Sequence, residues 1–330
     1  MSDSSFAWKA SKLASEDPQE KLLSMSNSHS SNPPAPFRLK PWFSERVWGK
    51  SDLRPWYEST GTNELVGEAW LTGPACIVET GPFSGKTFAG MSGKLGGEFP
   101  LLVKILFPND KLSVQVHPDD VQAQAAGETR GKTECWYVLE AAPGATVALG
   151  LKPGVGAAEV AASIANGTME DLLQRVPVAV GDMLFVDAGT VHAIGPGVVL
   201  LETQQTSDVT YRLYDYGRPR ELHLEKGIAV LKTKTEAGKV EPRPMDGFVR
   251  LIEQEYFTVD RFDVPFGEIR IPASGPACLV SLSGWGTVKS AHGSTGLKPG
   301  QAVVLPQGTG DIVIDAPAAL SFVRCMAPAV

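Results

Sequence analysis

From Leu65 onward the chain is cut into short apolar runs by Gly and Pro turns, and this punctuation restricts the possible folds more than any other feature. Runs of about 4–8 residues suit strands and are too short for most core helices. The candidates are Glu68–Leu71, Leu101–Leu106, Leu112–His117, Cys135–Glu140, Thr146–Leu151, Met183–Val186 and Val198–Gln204. Their even spacing predicts a mainly β chain, a sandwich or a barrel. Helices interrupt in few places. Ala157–Ala165 reads as one, closed by Asn166-Gly167. Thr168 with Asp171 three positions on caps a second over Met169–Arg175, and Leu222–Leu231 is a third candidate.

A chain of 330 residues can bury a large core and is expected to form two domains. Residues 1–36 stand apart, rich in Ser, Asn and Pro, which predicts a flexible extension. Ser11–Leu23 could form a short helix there, and the absence of an apolar h-region argues against a secretory signal. Residues 37–240 then form a first β domain. The polar stretch Lys232–Pro244 reads as a linker, and residues 241–330 hold a second β-rich block over Phe248–Val323.

The two blocks look like copies. Val180–Thr190 aligns without a gap on Pro299–Thr309; in both, a Gly turn opens a strand and a Gly-Thr turn ends it. The following element carries His192 in the first copy and Asp311 in the second. Matching Tyr137-Val138-Leu139 to Leu279-Val280-Ser281 puts Pro276 where the first copy has Glu134. The second copy is then a packing unit that has lost its polar set.

The net charge of −7 and pI near 5.4 argue against a general nucleic-acid or anionic-membrane binder. No run is long and apolar enough to cross a bilayer. Cys76, Cys135, Cys278 and Cys325 are far apart in or beside apolar segments, as expected of buried free thiols in a reducing compartment.

Within Leu112–Asp119, strand alternation points Ser113, Gln115 and His117 to one face. Polar groups there are costly unless something binds them. A metal ion is the simplest candidate, and a catalytic site needs about three protein ligands and an open position. His117, Glu134 and His192, with Gln115 as a further oxygen donor, meet that need from short strands that a barrel can bring together. Such ligands suit zinc, and also manganese, iron(II) or cobalt. Of the other histidines, His29 lies in the extension, His292 in the second copy, and His223 on the surface of a helical segment. Lys132 shares a strand face with Glu134, and Lys104 lies inside Leu101–Leu106, where a charge must be used or paired. Arg212 follows in Thr210–Arg218, and Arg218 reads as structural.

These segments resemble the zinc-dependent mannose-6-phosphate isomerases of the shorter bacterial form. The likeness is carried by Phe99–Lys104, Leu112–Asp119, Gly131–Tyr137, Ala188–Ala193 and Gln204–Arg218, in the family's order, with Arg46–Gly49 and Gly67–Trp70 in support. It covers roughly Phe37–Leu231 well and the rest more loosely.

The resemblance implies two cupin-like barrels (double-stranded β-helix, or jelly-roll) with a few short helices. Residues 37–240 would be catalytic and the second barrel degenerate. It implies His117, Glu134 and His192 as ligands of one Zn2+ per chain, with Gln115 a further ligand in longer members. Arg212 falls on the family's proposed active-site arginine, and Lys104, Lys132 and Ser113 on positions lining its sugar-phosphate pocket. Asp187 departs from the proline common before His192, and residues 1–36 have no counterpart in the family.

The implied reaction interconverts mannose 6-phosphate and fructose 6-phosphate through an enediol. Its base is open among a metal-activated water, a carboxylate and a lysine, with Lys132 the leading protein candidate. The implied protein is cytoplasmic, a monomer or weak homo-oligomer, with a small sugar phosphate as its partner and no nucleic acid or membrane. The rival readings are a metal-dependent cupin oxygenase acting on a small acid, and a non-enzymatic sugar-binding cupin.

Overall fold

The computed structural model describes residues 35–58, 64–95, 97–273 and 275–328. The extension expected over residues 1–36, with its Ser11–Leu23 helix, lies almost wholly outside them. In the first half the strands are β1 (Phe37–Lys40), β2 (Trp42–Lys50), β3 (Val66–Trp70), β4 (Ile77–Val78), β5 (Leu101–Leu106), β6 (Val114–Val116), β7 (Glu134–Ala141), β8 (Thr146–Leu151), β9 (Leu173–Pro177), β10 (Met183–Val186), β11 (His192–Ile194), β12 (Val198–Gln205) and β13 (Tyr211–Tyr214). The second half adds β14 (Gly238–Val240), β15 (Arg243–Met245), β16 (Phe248–Glu253), β17 (Thr258–Val264), β18 (Gly267–Ile271), β19 (Ala277–Ser283), β20 (Gly286–Ser290), β21 (Gly293–Leu297), β22 (Ala302–Leu305), β23 (Ile312–Ala316) and β24 (Leu320–Met326).

These strands build two antiparallel barrels of the cupin type, each from a large and a small sheet. The first pairs β14-β10-β7-β12-β5-β3-β2 with β13-β6-β11-β8-β9. The second pairs β4-β1-β22-β19-β24-β17-β16-β15 with β18-β23-β20-β21. Apart from β4 and β13, which have no counterpart, the orders correspond, with β10 matching β22, β7 matching β19 and β12 matching β24. One exchange stands out. β1 precedes the first barrel in the chain but pairs with β22 of the second, while β14 follows the first barrel and pairs with β10 inside it.

The large sheets share an apolar core, which collects Leu39, Val103, Leu201, Val280, Val304 and Val323 from both. β12 is therefore buried along its whole length. Alternate residues face the shared core (Val199, Leu201) and the first barrel's interior (Val198, Leu200). A separate apolar cluster fills the second barrel around Phe262, Leu279 and Phe322.

Three sequence expectations need correction. Met169–Arg175 is not one helix: a 3-10 turn covers Met169–Leu172, and Leu173–Pro177 becomes β9, paired with β8. The sheet edge offered by β8 outweighs the local helix signal. The Lys232–Pro244 linker contains β14 and the start of β15, polar edge strands with no apolar alternation to reveal them. The repeat is also shifted by one residue in its second segment. Met183 faces Tyr137 as Ala302 faces Val280, so Glu134 corresponds to Ala277 and not to Pro276. Helices Ala157–Asn166 and Leu224–Val230 form where expected.

Candidate metal centre

Three strands and two loops carry the polar cluster inside the first barrel. His117 follows β6, Glu134 opens β7 and His192 opens β11; the three are 2%, 1% and 0% exposed. One ligand atom from each lies within 4.8 Å of the others. Nε2 of His117 is 3.6 Å from Glu134 Oε2, and Nε2 of His192 is 3.4 Å from Glu134 Oε1.

Both imidazoles are held from behind. His117 Nδ1 donates to the Val209 carbonyl at 2.8 Å, and His192 Nδ1 donates to the Thr190 carbonyl at 2.9 Å. A carbonyl can only accept, so each Nε2 presents a lone pair to the cluster. Burial holds both rings neutral: His192 is pushed down to about 4 and His117 well below its usual value, with Lys132 adding to the effect. Both oxygens of Glu134 are buried with no hydrogen-bond donor. A buried carboxylate that accepts no hydrogen bond, with only the Lys132 ammonium 3.3 Å from one oxygen, facing two imidazole nitrogens is a donor set that fits a divalent cation.

Local structure explains the aim of these side chains. Gly131 lies so close to the Asp119 backbone that an added Cβ would sit 2.5 Å from its carbonyl carbon. This approach brings Lys132 N–H onto the Pro118 carbonyl at 3.0 Å and feeds Glu134 into β7. Asp187, the departure from the family's turn, accepts from Thr190 Oγ1 at 2.7 Å, so the turn before His192 is closed by a side chain. The β12–β13 connection is fixed by Gln204, whose amide donates to the Gln205 and Ser207 carbonyls. It presents Asp208 to Lys104 and the Val209 carbonyl to His117.

The other expected residues surround this centre unequally. Gln115 Nε2 lies 3.2 Å from His192 Nε2, and Ser113 Oγ reaches Gln115 Oε1 at 3.5 Å. Lys132 Nζ sits 3.3 Å from Glu134 Oε2 and 3.4 Å from His117 Nε2. His192, Gln115 and Arg212 are cross-strand neighbours in a row over β11, β6 and β13, so they share one face. The Arg212 guanidinium stands off the cluster, with Nη1 on the Glu221 carbonyl at 2.7 Å and a buried Nε without a partner. His223 is not a free surface residue, because its Nδ1 accepts the Arg212 backbone N–H at 3.2 Å. Arg218, expected to be structural, pairs with Asp110 and the buried Asp215.

Lys104 is 1% exposed and sits apart from the ligands, 3.5 Å from Glu202 Oε2, 3.4 Å from Asp208 Oδ1 and 4.6 Å from the Trp70 ring centroid. Burial opposes its charge, but Asp208, Glu68 and Glu202 outweigh burial and raise its pKa. Glu202 and Asp208 are the residues that sequence reasoning missed. The one available signal was Lys104 itself, a mid-strand cation that required buried carboxylates nearby.

A profile of the phosphomannose isomerase type I catalytic domain matches residues 37–140. Mannose-6-phosphate isomerase ManA of Bacillus subtilis is 36% identical over 305 residues, covering 85% of this chain and 96% of its own. The mannose-6-phosphate isomerase of Streptococcus mutans is 35% identical, covering 82% and 92% respectively. Among solved structures, the mannose 6-phosphate isomerase from Bacillus subtilis superposes with a TM-score of 0.79 at 32% identity, covering 88% of this chain and 99% of that one. A putative mannosephosphate isomerase from Archaeoglobus fulgidus shares the fold, with a TM-score of 0.73 at 20% identity.

Proposed function

The chain belongs to the mannose-6-phosphate isomerase family, and on that premise we propose that it interconverts mannose 6-phosphate and fructose 6-phosphate as a zinc enzyme, through an enediol. The observation that carries this reading is the convergence of His117, Glu134 and His192 within 4.8 Å, with neither buried Glu134 oxygen accepting a hydrogen bond. These three would hold the metal, with Gln115 as the fourth donor once its amide oxygen turns to the cluster. Nitrogen and carboxylate donors together suit zinc. A bound Zn2+ would supply Lewis acidity to the sugar oxygens on which charge builds.

The protein's own groups do the rest. The reaction moves a proton between C2 and C1 of a weak carbon acid, so it needs a base close to those carbons. Lys132 is the candidate, because its Nζ lies beside the same carboxylate and imidazole that would face the sugar. Arg212, a permanent cation one strand beyond Gln115, would offset the negative charge of the enediolate. Lys104 and Ser113 would hold the phosphate and keep a flexible sugar in register with the base. Four unpaired buried thiols suit a reducing compartment, the basis for assigning the protein to the cytoplasm.

The test is a coupled assay on mannose 6-phosphate with and without chelator, alongside elemental analysis. The expected result is about one zinc per chain, with activity lost on chelation and restored by zinc. Full activity in the metal-free protein would overturn the reading.

A further inference from the structure

Trp136 is fully buried beside the metal centre and belongs to none of the roles above. Its ring meets His192 edge-on, with centroids 5.5 Å apart at 69°. Its indole Nε1–H donates to Glu202 Oε1 at 3.2 Å, and Glu202 Oε2 lies 3.5 Å from Lys104 Nζ. The register makes this a row: Trp136 faces Glu202, Glu202 faces Lys104 and Lys104 faces Trp70 across β7, β12, β5 and β3. One side chain therefore touches a metal ligand at one end and, through a single carboxylate, fixes the buried lysine at the other.

The second barrel supplies an internal comparison. Its register places Leu279, Arg324, Asp260 and Arg250 at the positions of Trp136, Glu202, Lys104 and Trp70. Ala277 stands for Glu134. The copy without the carboxylate ligand has thus also replaced the indole and reversed the sign of the ion pair. Packing alone accepts Leu279 at this position, so the indole in the first barrel answers a requirement other than filling space.

We propose that Trp136 is a positioning residue that couples the metal centre to the phosphate end of the pocket, holding His192 by its ring and Lys104, through Glu202, by its N–H. This rests on the reading that Lys104 contacts the substrate phosphate. A neutral donor orients a buried carboxylate without cancelling its charge, so Glu202 stays available to Lys104. Without it, Glu202 is free to turn and Lys104 loses one of its two carboxylate partners, keeping Asp208 alone.

Two substitutions separate the two contacts. Trp136→Phe keeps a ring edge against His192 but has no N–H, and Trp136→Leu removes both. With cobalt replacing zinc, Trp136→Phe should retain the wild-type metal stoichiometry and visible absorption spectrum. Its KM for mannose 6-phosphate should rise about tenfold or more, the scale of outer-contact losses at metal sites. Trp136→Leu should show the same KM rise and, in addition, an altered cobalt spectrum. Adding Trp136→Phe to Glu202→Gln should change kcat/KM no further than Glu202→Gln alone, because the indole acts through that side chain. Additive losses in this cycle, or a Trp136→Phe enzyme with unchanged KM, would overturn the proposal. So would a Trp136→Leu cobalt spectrum identical to that of the wild type. A wild-type chain inactive on mannose 6-phosphate would instead sink the parent reading, while the cobalt spectra would still report on the contact with His192.

Discussion

Thr203 and Cys325 hold the same register position in the two barrels, and their side chains meet at 3.2 Å. Thr203 faces Cys135 across β12 and β7, as Cys325 faces Cys278 across β24 and β19. The repeats are therefore related by an approximate two-fold that runs through this contact, with Cys135 and Cys278 on either side. All four cysteines are buried, and three of them lie around this axis in the shared core.

Burial makes these thiols poor nucleophiles. It pushes Cys325 up to about 12, against the opposing hydrogen bond from Thr203, and raises Cys135 and Cys278 well above the usual thiol value. A thiol-reactive chromophore at pH 8 should find no reactive group in the native protein and all four cysteines in denaturant. Rapid native labelling would show that the core between the sheets opens.

Removing a metal ligand should abolish binding and turnover together. His117→Ala and His192→Ala are each expected to lose zinc, as read by elemental analysis, and with it activity. The metal should also protect the fold, since a ligand at 100 times its dissociation constant contributes about 2.7 kcal/mol. Chelation should accordingly lower the melting temperature of the wild type and leave that of His192→Ala unmoved.

Arg212→Ala separates charge stabilisation from metal binding. The guanidinium stands off the ligands and is anchored on the Glu221 carbonyl, so the variant should keep its zinc. Substrate binding should weaken modestly and kcat should fall by about 10²–10³, the usual loss for one preorganised donor. Unchanged turnover would remove Arg212 from the mechanism.

The ion pair between Asp260 and Arg324 should behave as a structural lock. Asp260 is 0% exposed, and Arg324 Nη2 lies 2.8 Å from its Oδ2. Arg324→Met leaves Asp260 with Arg250 as its remaining cation, 2.6 Å from Oδ1, and should cost about 1–3 kcal/mol, measured by urea unfolding. The added change Asp260→Asn should recover part of that loss. Zinc content and KM should not move in either variant, because the pair sits in the barrel without the ligand set.

Acid should act on Glu68. Burial would raise its pKa, but Arg46, Lys104 and the Trp70 N–H outweigh burial and hold it at about 2. A carboxylate depressed in the folded state contributes stability that is present above its unfolded pKa, about 4.3. That contribution is lost as pH falls from there through about 2. The melting temperature should drop over this window, and Glu68→Gln should flatten the drop.

The fold class was legible because its evidence is local. Alternation and turns marked β5, β8 and β10 to the residue, and the candidate ligands showed as polar side chains where a barrel needs apolar ones. What escaped the sequence was pairing. Glu202 reads as one polar residue in an apolar run until the register sets it opposite both Trp136 and Lys104. β14 and β15 escaped for the opposite reason, being edge strands made of residues that look like a linker. The repeat was visible in the segments around β10 and β22, yet its offset in β7 and β19 needed cross-strand partners to fix.

The crossing over of β1 and β14 makes the two halves hostage to one another. An excised first half would carry β1 away from β22 and leave a raw sheet edge on the half that remains. Gene fragments cut at the apparent boundary should therefore aggregate, and the intact polypeptide should melt in a single step. A lineage that began as two equal barrels could discard the chemistry of one, but never its masonry.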